Sequence, residues 1–272
     1  SASKAARGAW LNPEYRFDTF VVGSGNRLPY AAAMAVSEKD LRVYNPLFIH
    51  GGVGLGKSHL LQAICAAWRA RRPSARIRYV PSEQFINQFI SAVEKGELDS
   101  FRKRYREIDL LVVDDVQFLA GKERTQEEFF HTFNEIYNQE RQIFLTSDAA
   151  PSTIRGLSER LVSRFRLGLV VQLDPPDLET RMAIVHRKAD QRGLELPNAV
   201  VEVVARRVRD NVRELEGAVL RIESMARHEN RAITTHSVGD TLDELFGGSS
   251  TRIDLRKIEE LVSIEFSVSS EE

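Results

Sequence analysis

The sequence predicts a doubly wound α/β domain followed by a small all-helical one. Three observations carry this. Short apolar runs alternate with longer amphipathic stretches as far as about residue 173. One run, Leu110-Leu111-Val112-Val113, is apolar at every position, which implies a strand buried on both faces of a parallel sheet. After Asp174-Pro175-Pro176 the strands stop, and three or four amphipathic helices follow to about Phe246.

Taken in order, Leu47-Phe48-Ile49 is expected as a buried strand, followed by a glycine loop and a helix from about Lys57 to Ala70. Ile77-Arg78-Tyr79-Val80 is the second strand, and helices follow over Ser82–Lys95 and Leu98–Tyr105. The third strand is Leu110–Val113. A helix from about Thr125 to Asn138 puts Phe129, Phe130, Phe133, Ile136 and Tyr137 on one apolar face. Ile143-Phe144-Leu145 and Leu169-Val170-Val171 supply strands four and five. In the helical part, Asn198 and Asn211 are expected N-caps, Asn211 with Glu214 three residues on. Gly247-Gly248-Ser249-Ser250 reads as a flexible joint, with a helix from about Ile253 to Val262 beyond it. Residues 1–8 read as flexible tail. The resulting division is a tail and linker over 1–16, an α/β core over 17–173, a helical lid over 174–246, and a linker with a connecting helix over 247–272.

The chain has 272 residues, 42% hydrophobic and 28% charged, enough for a core of normal size. Its 38 basic and 39 acidic residues nearly cancel, so any nucleic-acid contact must come from a local patch. The single cysteine, Cys65, excludes an intrachain disulfide and suits a reducing cytosol. Its apolar helical surroundings point to packing, not chemistry. No apolar run reaches the ~18 residues of a membrane span, and no signal peptide is visible at the start. The six histidines show no zinc-ligand spacing with Cys65.

Gly51-Gly52-Val53-Gly54-Leu55-Gly56-Lys57-Ser58 matches G-x-x-x-x-G-K-[ST], between an expected strand and an expected helix. Such glycines let backbone N–H groups turn inward around phosphate oxygens, and the helix N-terminus adds positive potential. Lys57 is expected to reach the β- and γ-phosphates, and Ser58 to ligate Mg²⁺. Asp114 and Asp115 close the third strand, an apolar run ending in acids. Asp114 is placed to hold Mg²⁺ and Asp115 to polarise the attacking water. Asp115 is one methylene shorter than glutamate, from which slow hydrolysis is inferred. Thr146-Ser147-Asp148 ends the fourth strand at the carboxyl edge of the sheet, and reads equally as a γ-phosphate sensor or as a turn.

These features resemble the AAA+ ATPases, in which an α/β core precedes a helical lid. Longer strings resemble one family within them, the bacterial chromosomal replication initiators. They are Asn12-Pro13-x-Tyr15-x-Phe17-Asp18-x-Phe20-Val21-Val22-Gly23-x-x-Asn26, Tyr44-Asn45-Pro46-Leu47 and Lys57-Ser58-His59-Leu60-Leu61. Asp114-Asp115-Val116-Gln117-Phe118, Gln126-Glu127-Glu128-Phe129-Phe130-His131 and Asn211-Val212-Arg213-Glu214-Leu215-Glu216-Gly217 extend the match. It runs from about Leu11 to Phe246.

The resemblance implies roles that spacing alone does not. Arg164 matches an arginine finger that reaches the γ-phosphate on a neighbouring subunit; without the resemblance it reads as an arginine closing a helix. Arg213 matches a sensor arginine of the lid. Gly52 to Ser58 and His59 match the phosphate loop, and Val21, Val22 and Asn26 the segment around the adenine. For the two valines, core packing is an equal reading. Residues 82–106 match an initiator-specific helical insertion. Within it Ile90 matches an apolar contact to single-stranded DNA, and Lys122, Arg124 and Thr125 match DNA-backbone contacts at a helix start.

The implied molecule is a slow, switch-like ATPase that uses ATP, ADP and Mg²⁺. It assembles head to tail with itself into a filament and engages single-stranded origin DNA in the bacterial cytoplasm, associated with the nucleoid. Duplex origin recognition, and any contact with the replicative helicase or regulators, are expected from further domains. Two rivals are a P-loop phosphotransferase acting on a metabolite and a nucleotide-binding adaptor that does not hydrolyse.

Overall fold

The computed structural model describes residues 11–38, 44–209, 211–229 and 231–246. The expected tail over 1–8, joint over 247–250 and helix over 253–262 lie outside the described residues. Five strands, β1 (Leu47–His50), β2 (Ile77–Pro81), β3 (Leu110–Asp114), β4 (Gln142–Ser147) and β5 (Leu169–Gln172), lie in the order β2-β3-β4-β1-β5. Every pairing is parallel. The connections carry α1 (Arg27–Glu38), α2 (Lys57–Arg71), α3 (Ser82–Lys95), α4 (Leu98–Arg106), α5 (Glu123–Asn138) and α6 (Glu159–Phe165).

The period of two along each strand divides the core into two layers. Phe48, Leu111, Val113 and Leu145 face a cluster with Phe85, Phe101, Tyr105, Phe129, Phe133 and Phe165. Leu47, Ile49, Leu110, Val112 and Phe144 face the other, with Leu60, Leu61, Ile64 and Trp68 of α2. Cys65 is buried in this second layer, and burial pushes its thiol pKa up, so it packs and does not react. The ring of Phe85 meets those of Tyr105, Phe101 and Phe129 edge-on at 4.9, 5.3 and 5.2 Å. One aromatic cluster therefore joins α3, α4 and α5.

Two of these helices, α4 and α5, also share an ionic knot around one buried carboxylate. Glu128 on α5, 5% exposed, accepts from Arg102 at 2.9 Å and from Arg106 at 2.8 Å, and Arg106 also reaches Glu135 at 2.8 Å. Burial pushes the Glu128 carboxyl upward, but hydrogen bonds and charge from Arg102 and then Arg106 outweigh it and hold the pKa below the usual glutamate value. A depressed carboxylate pKa stabilises the fold above the unfolded value and loses that contribution as pH falls through the folded one. Glu128→Gln is therefore expected to cost about 2 kcal/mol at pH 7. The gap from the parent should close below about pH 4, which urea titrations at both pH values would check.

Two features differ from the sequence expectations. No element was expected over 27–38, yet α1 forms there. Its buried face is made mostly of small residues, Ala32 and Ala33 with Val36, and carries little apolar periodicity. The helical part is expected from 174, but the second compact unit takes Arg181–Arg209 and the described residues from Glu214. Asp174 stays with the α/β unit because its N–H donates to Gly25 O at 3.0 Å. The unit boundary falls inside α7 (Leu178–Gln191), and α8 (Asn198–Arg207), α9 (Val212–His228) and α10 (Thr235–Phe246) complete the helices. The helical unit buries Val200, Val201, Val204, Leu215, Val219, Ile222, Met225 and Leu242. Asn198 is the first helical residue, not the cap: Pro197 precedes it, and Pro197 O accepts from Val200 and Val201. Among the described residues no helix is long and apolar enough to cross a membrane.

Candidate functional site: a phosphate cradle and its acids

The strand order creates the site. β4 lies between β1 and β3, and the register pairs Ile49 with Thr146, His50 with Ser147 and Val113 with Leu145. The loop after β1, the acids ending β3 and the polar end of β4 therefore come out side by side at the carboxyl edge of the sheet.

Gly54 and Gly56 shape the loop. Gly54 has φ +75°, and a Cβ there would lie 3.0 Å from the Asn211 side chain. Gly56 has φ +103°, and a Cβ would lie 3.2 Å from the Phe20 ring. Both conformations favour glycine. Among the described residues the N–H groups from Gly52 to Ser58 meet no protein acceptor. Such a row of unpaired donors at the start of α2 suits the oxygens of a polyphosphate. Beside it lies a cavity of about 500 Å³, bordered by Gly51, Gly52, Val53, Leu55, Asp148 and Asn211.

Lys57 is 6% exposed, and its ammonium donates to Gly51 O at 2.7 Å, Gly52 O at 2.9 Å and Asp148 Oδ1 at 2.8 Å. Asp114 is buried. Its Oδ2 accepts from the Tyr79 hydroxyl at 2.8 Å and its Oδ1 from Thr146. Asp115 takes the left-handed region, φ 58°, and its N–H donates to Thr146 Oγ1 at 3.1 Å. For a residue with a Cβ this backbone is strained, the kind of cost seen where a side chain must be aimed. Burial first, and the Asp114 charge second, raise the Asp115 pKa above the usual aspartate value. Gln117 links the acids: its Nε2 donates to Asp115 Oδ1 at 3.2 Å and to Asp148 Oδ2 at 2.9 Å. The Ser58 hydroxyl has no protein partner among the described residues, so it is open to a ligand. Tyr79 and Gln117 carry no role in the sequence reading. Only the strand register and the turn after β3 bring them to the acids.

Other expected residues fall elsewhere. The His59 ring stacks on Tyr15 at 4.7 Å and meets Phe20 edge-on at 5.2 Å, holding the 15–20 segment instead of facing phosphate. One step along the helix from Ser58, its side chain points about 100° away. The Asn26 side chain accepts from Gly23 N–H at 2.8 Å and donates to Val21 O at 2.9 Å, so it closes its own loop. Val21 is half-buried and Val22 exposed, and neither borders the cavity. Thr125 is buried, 5% exposed. Its neighbours Lys122 and Arg124 are exposed, as is Ile90. Arg213 is exposed at the start of α9, next to Val212, whose N–H donates to Gly54 O at 3.0 Å. Arg164 lies outside the cavity, its guanidinium 5.6 Å from the centroid of the Phe130 ring.

A five-stranded parallel sheet with a phosphate loop, paired acids and a following helical unit defines a P-loop ATPase of the AAA+ class. Within that class the chain belongs to the bacterial DnaA ATPase domain family, whose profile matches residues 11–172. It is 49% identical over 262 residues to the chromosomal replication initiator protein DnaA of Enterococcus faecalis, covering 96% of this chain and 59% of that protein. The crystal structure of domain III of Thermotoga maritima DnaA superposes with a TM-score of 0.83 at 42% identity, covering 86% of this chain and 98% of that one. A DnaA bound to AMPPCP and single-stranded DNA superposes with a TM-score of 0.75 at 38% identity, covering 97% of this chain and 77% of that one.

Proposed function

We propose that this chain is the ATP-switched assembly domain of a bacterial replication initiator, working on nucleoid DNA in the cytoplasm. The row of unpaired amides from Gly52 to Ser58, closed by the buried Lys57 ammonium, carries the nucleotide part of the reading. A triphosphate fits this donor set. Its oxygens replace the two loop carbonyls and Asp148 as partners of Lys57. Ser58 and Asp114 would hold Mg²⁺, which would neutralise phosphate charge. Among the described residues no cluster of three or more His, Cys, Asp or Glu side chains is placed to hold a metal, and a Mg²⁺ held by Ser58 and Asp114 would keep several waters. Asp115 orients the attacking water and accepts its proton, with Gln117 fixing the carboxyl. Asp148 reports the γ-phosphate through Lys57, and Arg213 stands at the loop tip as a second cationic contact. Val21 and Val22, within the segment matched to the adenine end, would contact the base. Hydrolysis to ADP and phosphate switches the domain off, and the short Asp115 side chain makes that step slow.

Arg164 lies outside the cavity of its own chain, which supports its acting on a neighbour. One copy's guanidinium meets the next copy's γ-phosphate. This contact is heterologous and propagates as an open filament. ATP and self-association are then thermodynamically coupled. Single-stranded DNA is the second ligand, as in the relative bound to it. The first three N–H groups of α5, from Glu123 to Thr125, meet no protein acceptor among the described residues, with the exposed Lys122 just before them and the exposed Arg124 among them. Contact with duplex origin, helicase or regulators belongs to other parts of such an initiator.

The test is sedimentation of the chain with ATP against ADP, with and without a single-stranded oligonucleotide. Assembly that is indifferent to the nucleotide would defeat the reading. Arg124→Ala is expected to weaken oligonucleotide binding several-fold and to lower the salt slope by about 0.7, the loss of one phosphate contact. An unchanged slope would remove Arg124 from the DNA path.

A further inference from the structure

We infer that Phe130 is a positioning residue that aims the arginines of α6 toward a neighbouring copy. The inference rests on the assignment of Arg164 to a trans contact. The Arg160 guanidinium lies 4.3 Å from the centroid of the Phe130 ring and the Arg164 guanidinium 5.6 Å, both within cation–π range. Neither arginine has a carboxylate partner among the described residues. Yet Glu123 and Glu127 border the same cleft of about 470 Å³ as Phe130 and Arg160. The choice of partner matters physically. A carboxylate would hold a guanidinium and cancel its charge, whereas the face of an aromatic ring holds it and leaves the charge available for phosphate.

The rest of α6 is fixed around this ring. On the helix's inner side Phe165 packs against Phe48 at 5.6 Å and against Phe129 and Phe133 at 6.1 Å, which sets its rotation. Its start is tied to α5 by Gln126, one turn before Phe130 and 4% exposed. The Gln126 Oε1 accepts the Ser158 N–H at 2.8 Å, and its Nε2 donates to Gly156 O at 2.8 Å and to Leu119 O at 3.0 Å. Gly121 N–H also donates to Gly156 O at 2.9 Å, so the loop carrying Lys122 and the loop leading to α6 are joined. With the helix fixed, the remaining freedom of each arginine is its own side-chain rotation, and the ring restricts it. Arginines already confined to one sector lose less rotamer freedom when a phosphate arrives.

The test uses the whole chain with Phe130→Leu, which keeps an apolar side chain but removes the π face, and Phe130→Trp, which restores one. Arg164→Ala serves as the control for the trans contact. ATP affinity, melting temperature and the protein concentration at half-maximal ATP-dependent assembly are measured for each. Phe130→Leu is expected to raise that concentration about five- to twenty-fold, with ATP affinity unchanged, and Phe130→Trp to assemble as the parent does. Parent-like assembly of Phe130→Leu, while Arg164→Ala fails to assemble, overturns the positioning role and leaves the trans contact standing. Normal assembly of Arg164→Ala removes the trans contact and this inference with it. A fall in melting temperature and ATP affinity in both Phe130 variants assigns the ring to packing alone and overturns the inference.

Discussion

Lys57→Ala is expected to raise the Kd for ATP about 10³-fold. The ammonium reaches both loop carbonyls and Asp148 inside the phosphate cradle. Exchanging these partners for phosphate oxygens makes charge-assisted hydrogen bonds of about 1.5–3 kcal/mol each. Losing two of them is about 4 kcal/mol, or three decades of affinity. The fold should survive, because the packing of α2 comes from Leu60, Leu61, Ile64 and Trp68. Equilibrium titration with a fluorescent ATP analogue measures the effect. A loss under ten-fold would mean that the open amides alone hold the phosphates and that the lysine has another task.

Arg164→Ala should separate binding from assembly. Its guanidinium lies on Phe130, away from the cavity that Gly52, Val53 and Asp148 border, so ATP affinity in the isolated chain should change by less than about two-fold. Assembly is another matter. A guanidinium that meets phosphate across an interface is desolvated and paired, and truncating such a partner costs about 2–5 kcal/mol. The concentration needed for ATP-dependent assembly should rise about thirty-fold or more. Assembly at the parent concentration would exclude this arginine from the interface.

The contiguous features of this molecule were legible in its residues. The run Gly51–Ser58 carries its own conformation, because glycines at fixed offsets are what permit the positive φ angles of Gly54 and Gly56. The apolar run 110–113 and the aromatic face of 129–137 report burial directly, since each period matches one kind of backbone. The acids Asp114 and Asp115 were found because they follow such a run. The alanine-faced helix over 27–38 escaped, since its buried face has too little apolar contrast to stand out.

Side-chain destinations were a different matter. Asn26, His59 and Thr125 are among the residues the resemblance singles out, yet one closes its own loop, one stacks on Tyr15 and one is buried in a helix. Tyr79 and Gln117, to which the sequence assigns no role at the site, hold Asp114 and Asp115. Two arginines found a ring about thirty residues away. A loop or a strand is decided by neighbours along the chain, through steric limits on φ and ψ and through burial of one face. The partner of a polar or charged side chain is decided by which distant segments the sheet order brings beside it, and that order exists only once the chain has folded.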